Sequence, residues 1–164
     1  METNETPKRK PTRLEGFDYG EGYAYFITIC TKDREKTLSN IVGEGFPLPN
    51  LTKQGEIIKN LIENPPQKYS SFSVDYYVIM PNHIHLLITV HCDGRGDPSP
   101  TVVAFVGWLK YQATKEINAL LNENGKQRFQ RSFHDHVIRN KQDYNEVVKY
   151  IYENPLNYQL DELY

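Results

Sequence analysis

Residues 72–90 read FSVDYYVIMPNHIHLLITV, and the fold turns on how this stretch is divided. Phe72 to Met80 is rich in aromatic and β-branched residues, the composition of a strand. Pro81-Asn82 interrupts it, and His83 to Val90 makes a second strand. Alternate residues of a strand point to opposite faces. Ile84, Leu86, Ile88 and Val90 therefore share the face that packs on helices. His83 and His85 share the other face, near the start of the strand.

On the N-terminal side, Tyr23 to Thr31 (YAYFITICT) is a further strand. Lys32 to Asn50 is polar, with Gly43, Gly45, Pro47 and Pro49 as the turn residues of a small hairpin. Thr52 is a fitting N-cap for a helix in which Ile57, Ile58, Leu61 and Ile62 recur at helical spacing, and Pro65-Pro66 stops it. On the C-terminal side, Cys92 to Pro100 (CDGRGDPSP) is a Gly/Pro loop. Val102, Phe105, Val106, Leu109, Ala113, Ile117 and Leu120 then predict an amphipathic helix over 101–121, capped by Ser99 or Thr101. Phe129 to Ile138 is weakly strand-like. Asp143 is the expected N-cap of a last helix running through Asn154 and ended by Pro155. The first six elements follow the order βαββαβ, an α+β arrangement with two helices on one face of an antiparallel sheet.

The chain has 164 residues, enough for one domain with a sizeable core, and it carries no internal repeat. No apolar run is long enough to span a membrane, and the N-terminus lacks the apolar core of a signal peptide, so the expected location is the cytoplasm. An RGD adhesion motif at 95–97 has no partner there. Cys30 and Cys92 are too few for a disulfide scaffold or a zinc knuckle. With 19 Lys+Arg against 21 Asp+Glu, the formal charge of -2 counts at first sight against nucleic acid. Its distribution reverses that inference. Lys8, Arg9, Lys10 and Arg13 lie in a Pro-containing stretch at 1–16 that reads as a disordered basic arm, either a solvated tail or a phosphate contact. Lys126, Arg128, Arg131, Arg139 and Lys141 form a second basic stretch. It is interleaved with Phe129, Phe133, His134 and His136, rings that can stack on bases. The Debye length is about 8 Å at physiological salt, so such a patch acts locally whatever the total charge.

Two residue patterns bear on chemistry. Imidazoles two apart on a strand can hold one divalent metal ion, each through one ring nitrogen. Both His83/His85 and His134/His136 have that spacing, and either pair could equally be structural. The chain also holds 12 tyrosines against 7 phenylalanines and 1 tryptophan. Of these, Tyr150 lies four positions before Asn154 on the last helix, hence on the same face about one turn away. Asn154 could offer a carbonyl oxygen to a metal while Tyr150 presents its hydroxyl to a phosphate, since an activated tyrosine can be a covalent nucleophile. Tyr144, Tyr150, Tyr152 and Tyr158 are also plausible packing residues, and the residues alone leave the choice open.

Six segments nevertheless occur together and in order: YFITICTKDRE (25–35), LTKQGEIIKN (51–60), YYVIMPNHIHLLITV (76–90), SPTVVAFVGWLKYQATKEIN (99–118), FQRSFHDHVIRN (129–140) and YIYENP (150–155). From Gly20 to Pro155 the chain resembles the single-tyrosine HUH transposases, in particular the REP-associated tyrosine transposases. A tryptophan often stands in that family where this chain has Phe129. The resemblance implies a ferredoxin-like catalytic domain over 17–158, with a C-terminal helix carrying the tyrosine and a short tail at 159–164. It implies metal-dependent cleavage and strand transfer of single-stranded, hairpin-containing DNA through a 5′-phosphotyrosine. His83, His85 and Asn154 would hold Mg²⁺ or Mn²⁺, and Tyr150 would be the nucleophile. His136 becomes a DNA contact or a structural residue. Lys110, Arg128, Arg131 and Arg139 are candidate phosphate contacts on charge and position, with solvated surface as their alternative. Relatives include both a homodimer that exchanges the tyrosine helix and chains that keep it. Two rival readings are a domesticated, non-cleaving DNA-binding protein of the same fold and an RNA-binding module that stacks bases on an open sheet.

Overall fold

A computed structural model of the chain describes residues 23–43, 45, 47–91 and 99–158. The expected basic arm at 1–16, the RGD sequence and the tail at 159–164 lie outside the described residues. The elements in chain order are β1 (Tyr23–Cys30), β2 (Ser39–Val42), β3 (Leu48–Leu51), α1 (Lys53–Glu63), β4 (Phe72–Ile79), β5 (His83–Val90), α2 (Ser99–Leu121), β6 (His134–Val137) and α3 (Lys141–Glu153). Four of the strands form one sheet in the order β4-β5-β1-β6, with every neighbouring pair antiparallel. This is the expected βαββαβ sheet. The polar segment after β1 does contain a hairpin, the separate ribbon β2-β3.

Local chemistry accounts for the helix ends. Thr52 caps α1 by accepting from the Gly55 amide at 3.2 Å, and its hydroxyl donates to the carbonyls of Thr37 and Leu38. Gly55 is required there: a Cβ at this position would stand 2.1 Å from the Leu38 carbonyl oxygen. The last helix departs from expectation at its start. Its N-cap is Asn140, whose side chain accepts from the Asp143 amide at 2.8 Å. Asp143 sits one turn further in and accepts from the Arg139 amide at 2.9 Å. Both are capping residue types, and the earlier one takes the role. The strand expected over 129–138 is also shorter, because Phe129 bridges only Thr31 before the chain leaves the sheet.

β5 is buried on both faces. On one side Ile84, Leu86, Ile88 and Val90 join Tyr25, Ile27 and Ile29 of β1 against Ile58 and Ile62 of α1 and Val102, Phe105, Val106, Leu109, Ala113 and Ile117 of α2. On the other, Leu87, Ala24 and Val78 meet Val147 and Ile151 of α3. Each Val, Leu or Ile among them contributes about 1.5–3 kcal/mol when fully buried. With α1 and α2 on one face and α3 on the other, the middle of the sheet offers no open platform for stacked bases.

Candidate active site

His83 and His85 lie under α3, on the face away from the main core. Their exposures are 0% and 1%, and their rings meet edge to face with centroids 4.5 Å apart. Burying two imidazoles is costly unless their polar atoms are matched. The Nδ1 atom of each ring is engaged. That of His83 lies 2.7 Å from Asn82 Oδ1 and that of His85 lies 2.9 Å from Thr28 Oγ1. An amide oxygen can only accept, so with this amide orientation His83 carries its proton on Nδ1. Its Nε2 then bears the lone pair, the form in which histidine ligates a metal. Thr28 can hold His85 in the same tautomer. Both Nε2 atoms are buried.

These partners come from register. Thr28 stands directly opposite His85 in the β1-β5 ladder. Asn82 occupies the β4-β5 turn, closed by the Met80 amide donating to the His83 carbonyl at 2.8 Å. The Asn82 carbonyl accepts from both the amide and the hydroxyl of Thr31, each at 3.0 Å. Neither Thr28 nor Asn82 was singled out by sequence. The alternation in β1 assigns Thr28 a face, yet only the pairing with β5 gives it a partner.

Tyr150 comes down from α3 onto the pair. Its ring lies 5.3 Å from that of His85 and 5.8 Å from that of Phe26, which itself stacks on His85 at 5.1 Å. The tyrosine remains 41% exposed, so its surroundings combine a buried histidine pair with access from solvent. Asn154, one turn further along, is 1% exposed and continues the buried stripe of Val147 and Ile151. The other tyrosines of this region face elsewhere. Tyr144 donates to Asp75 at 2.8 Å, and burial followed by that carboxylate pushes its pKa well up, which disfavours a phenolate. Tyr152 packs edge to face on Tyr76, and Tyr158 lies under Lys36.

Among the described residues, no three His, Cys, Asp or Glu side chains cluster as a metal site. A metal bound by these residues would rest on the two imidazoles, the Asn154 amide oxygen and oxygens from solvent or substrate. Two imidazoles, that of His83 set in its tautomer by Asn82, and a neutral oxygen donor are donor types that suit a divalent cation. The second His-x-His pair is different. His134 and His136 are exposed on the edge strand β6, and His136 Nε2 contacts both Asp143 carboxylate oxygens at 3.0–3.1 Å.

The candidate phosphate-contacting cations divide in two. Arg128 is 8% exposed, with its Nε donating to Asn118 at 2.7 Å and its guanidinium paired with Glu123. The hydrogen bond from Arg128 holds the Glu123 carboxyl below its ordinary range. Lys110 donates to the carbonyls of Gln130 and Arg131, and burial lowers its pKa. Both cations fasten segment 126–131 to α2. Arg131 and Arg139 are exposed instead, and Arg139 borders an open pocket with His136, Asn140, Gln142, Asp143 and Glu146.

The chain that folds into this βαββαβ sheet, with its paired-histidine strand under a tyrosine-bearing helix, matches a family model across most of its length. The model of the IS200-like transposases matches residues 21–154, and the chain belongs to that family. Among individual proteins it is similar to an uncharacterized protein of Haemophilus influenzae, 27% identical and covering 95% of this chain and 93% of that one. It is also similar to the REP-associated tyrosine transposase of Escherichia coli K12, 27% identical over 85% of this chain and 70% of that one. A solved structure of a REP-associated tyrosine transposase bound to a REP hairpin shares the fold, with a TM-score of 0.54, 24% identity and coverage of 89% of this chain and 74% of the other. Among the described residues no helix is long and apolar enough to cross a membrane.

Proposed function

We propose that this transposase-family protein cuts and rejoins single-stranded DNA at a hairpin, with Tyr150 as nucleophile. The observation carrying the reading is the contact of a solvent-reachable tyrosine with a buried histidine pair whose Nδ1 atoms are engaged by Asn82 and Thr28. His83, His85 and Asn154 would hold Mg²⁺ or Mn²⁺. Such an ion, when bound, supplies Lewis-acid stabilisation of the charge that develops on the scissile phosphate. The Tyr150 oxygen bonds to phosphorus and loses its proton to solvent as the P–O3′ bond breaks. The departing oxygen gains a proton, leaving a 3′-hydroxyl and a 5′-phosphotyrosine. Attack by another 3′-hydroxyl reverses the step and joins strands without an external energy source. Arg131 and Arg139 supply exposed charge for phosphates, and hairpin DNA as substrate follows the hairpin-bound relative.

The test mixes the full chain with single-stranded hairpin DNA taken from beside its gene and with Mn²⁺ or Mg²⁺. A covalent protein–DNA adduct is expected, and Tyr150→Phe should abolish it while leaving DNA affinity intact. An adduct that persists in Tyr150→Phe would move the nucleophile elsewhere. Tight binding of such hairpins with no adduct would instead favour a non-cleaving DNA-binding protein.

A further inference from the structure

Tyr150 can act only if α3 lies on the sheet with the right rotation about its own axis. The apolar contacts through Val147 and Ile151 seat the helix, and hydrogen bonds, which depend on angle, set its rotation more sharply. Two adjacent residues in the first turns of α3 form polar links in different directions. Asp143 reaches His136 on β6, at one edge of the sheet. Tyr144, about 100° further round the helix, reaches Asp75 on β4, at the opposite edge. We infer that these two links form a two-point mount that holds Tyr150 over His85, making Asp75 and His136 positioning residues of the site.

Asp75 is built for this purpose. The β4-β5 register slips between Val74 and Tyr76, so Asp75 is the extra residue of a β-bulge. Bulges re-aim side chains: here Asp75 reaches α3 through Tyr144, and the next residue, Tyr76, packs on the same side with Val147 and Ile151. The Asp75 carboxylate accepts from three hydroxyls: Ser73 at 2.7 Å, Thr89 and Tyr144. The first two steady the carboxylate within the sheet, and the third carries the helix. Hydrogen bonds to a charged acceptor are roughly twice as strong as neutral ones. Tyr150 lies six positions beyond Tyr144, about 9 Å along the axis, so a small rotation at the mount shifts the tyrosine hydroxyl as well. A misplacement of about 1 Å can cost on the order of a hundredfold in rate.

The inference rests on the proposed cleavage and is tested with the full chain, Mn²⁺ and hairpin single-stranded DNA. Tyr144→Phe removes one hydroxyl and keeps the ring. It should slow single-turnover adduct formation at saturating protein about tenfold or more, leave the DNA dissociation constant within about twofold, and speed hydrogen exchange of amides 147–152. Asp75→Asn should do the same. Tyr77→Phe deletes the same kind of hydroxyl from β4 where it donates to Glu63 of α1 instead, and its adduct rate and exchange should stay near wild type even if its melting temperature falls as far. Wild-type rate and exchange in Tyr144→Phe, or an equal loss in Tyr77→Phe, would overturn the inference. If the unmodified chain binds hairpins but forms no adduct, the cleavage reading fails separately. The exchange data then decide alone, and unchanged protection at 147–152 in both Tyr144→Phe and Asp75→Asn would dismiss the mount.

Discussion

Replacing Thr28 with valine keeps the shape of the side chain and deletes the hydroxyl that faces His85 Nδ1 at 2.9 Å. Thr28 is 6% exposed and His85 1%, so bulk water does not readily take over the lost bond. A buried donor stripped of its partner costs about 1–3 kcal/mol. Removal of an outer partner from a ligating histidine typically weakens metal affinity about 10–100-fold. At about 1.4 kcal/mol per tenfold, that range is roughly 1.4–2.8 kcal/mol of binding free energy, separate from the cost to folding. Thr28→Val should therefore bind Mn²⁺ about 10–100-fold more weakly and melt a few degrees lower. Mn²⁺ titration followed by electron paramagnetic resonance, paired with a thermal melt, reads both. A variant that melts lower yet binds Mn²⁺ within threefold of wild type would refute the idea that Thr28 orients a ligand. If wild type itself takes up no Mn²⁺, the metal assignment of His83 and His85 falls.

Two further predictions concern the scaffold. Gly55→Ala forces a methyl group against the Leu38 carbonyl oxygen, a backbone atom that cannot rotate away. Overpacking of this kind costs about 1–3 kcal/mol, and a melting temperature within about 1 °C of wild type would contradict the close approach. Glu123 has its pKa lowered first by the Arg128 hydrogen bond, so its stabilising contribution is complete above the unfolded value of about 4.3 and is lost as pH falls through the lower folded value. Glu123→Gln should flatten the decline in melting temperature below about pH 4, and a decline as steep as wild type would show that the pair does not report on acid stability.

Most of the architecture could be read in the chain. β5 runs over the eight residues from His83 to Val90 that its composition indicates, and α2 ends at the expected Leu121 but starts two residues before the expected Thr101, at Ser99. What escaped were features set by tertiary partners. Nothing in the spacing of Lys110 and Arg128 distinguishes them from Arg131 and Arg139, yet the first two are tied to protein groups and the last two are exposed. Thr28 and Asn82 become part of the site only when strand register and a turn bring them to the histidine rings. The bulge at Asp75 interrupts an alternation that sequence alone would have continued. Tyr150, by contrast, stands out among the described tyrosines once α3 lies on the sheet, because its ring is set against that of His85.

β5 carries the histidines on one face and the aliphatic core on the other, so the same eight residues serve folding and chemistry. The site is consequently unequal in how it would age. In a copy released from any need to cut DNA, His83 and His85 would still fill sealed space, and their loss would leave cavities or stranded polar partners that destabilise the domain. Tyr150, 41% exposed, could change at little cost to the fold. Persistence of the histidine pair in a decaying lineage would thus speak mainly for a folded protein, whereas persistence of the tyrosine would speak for an active one.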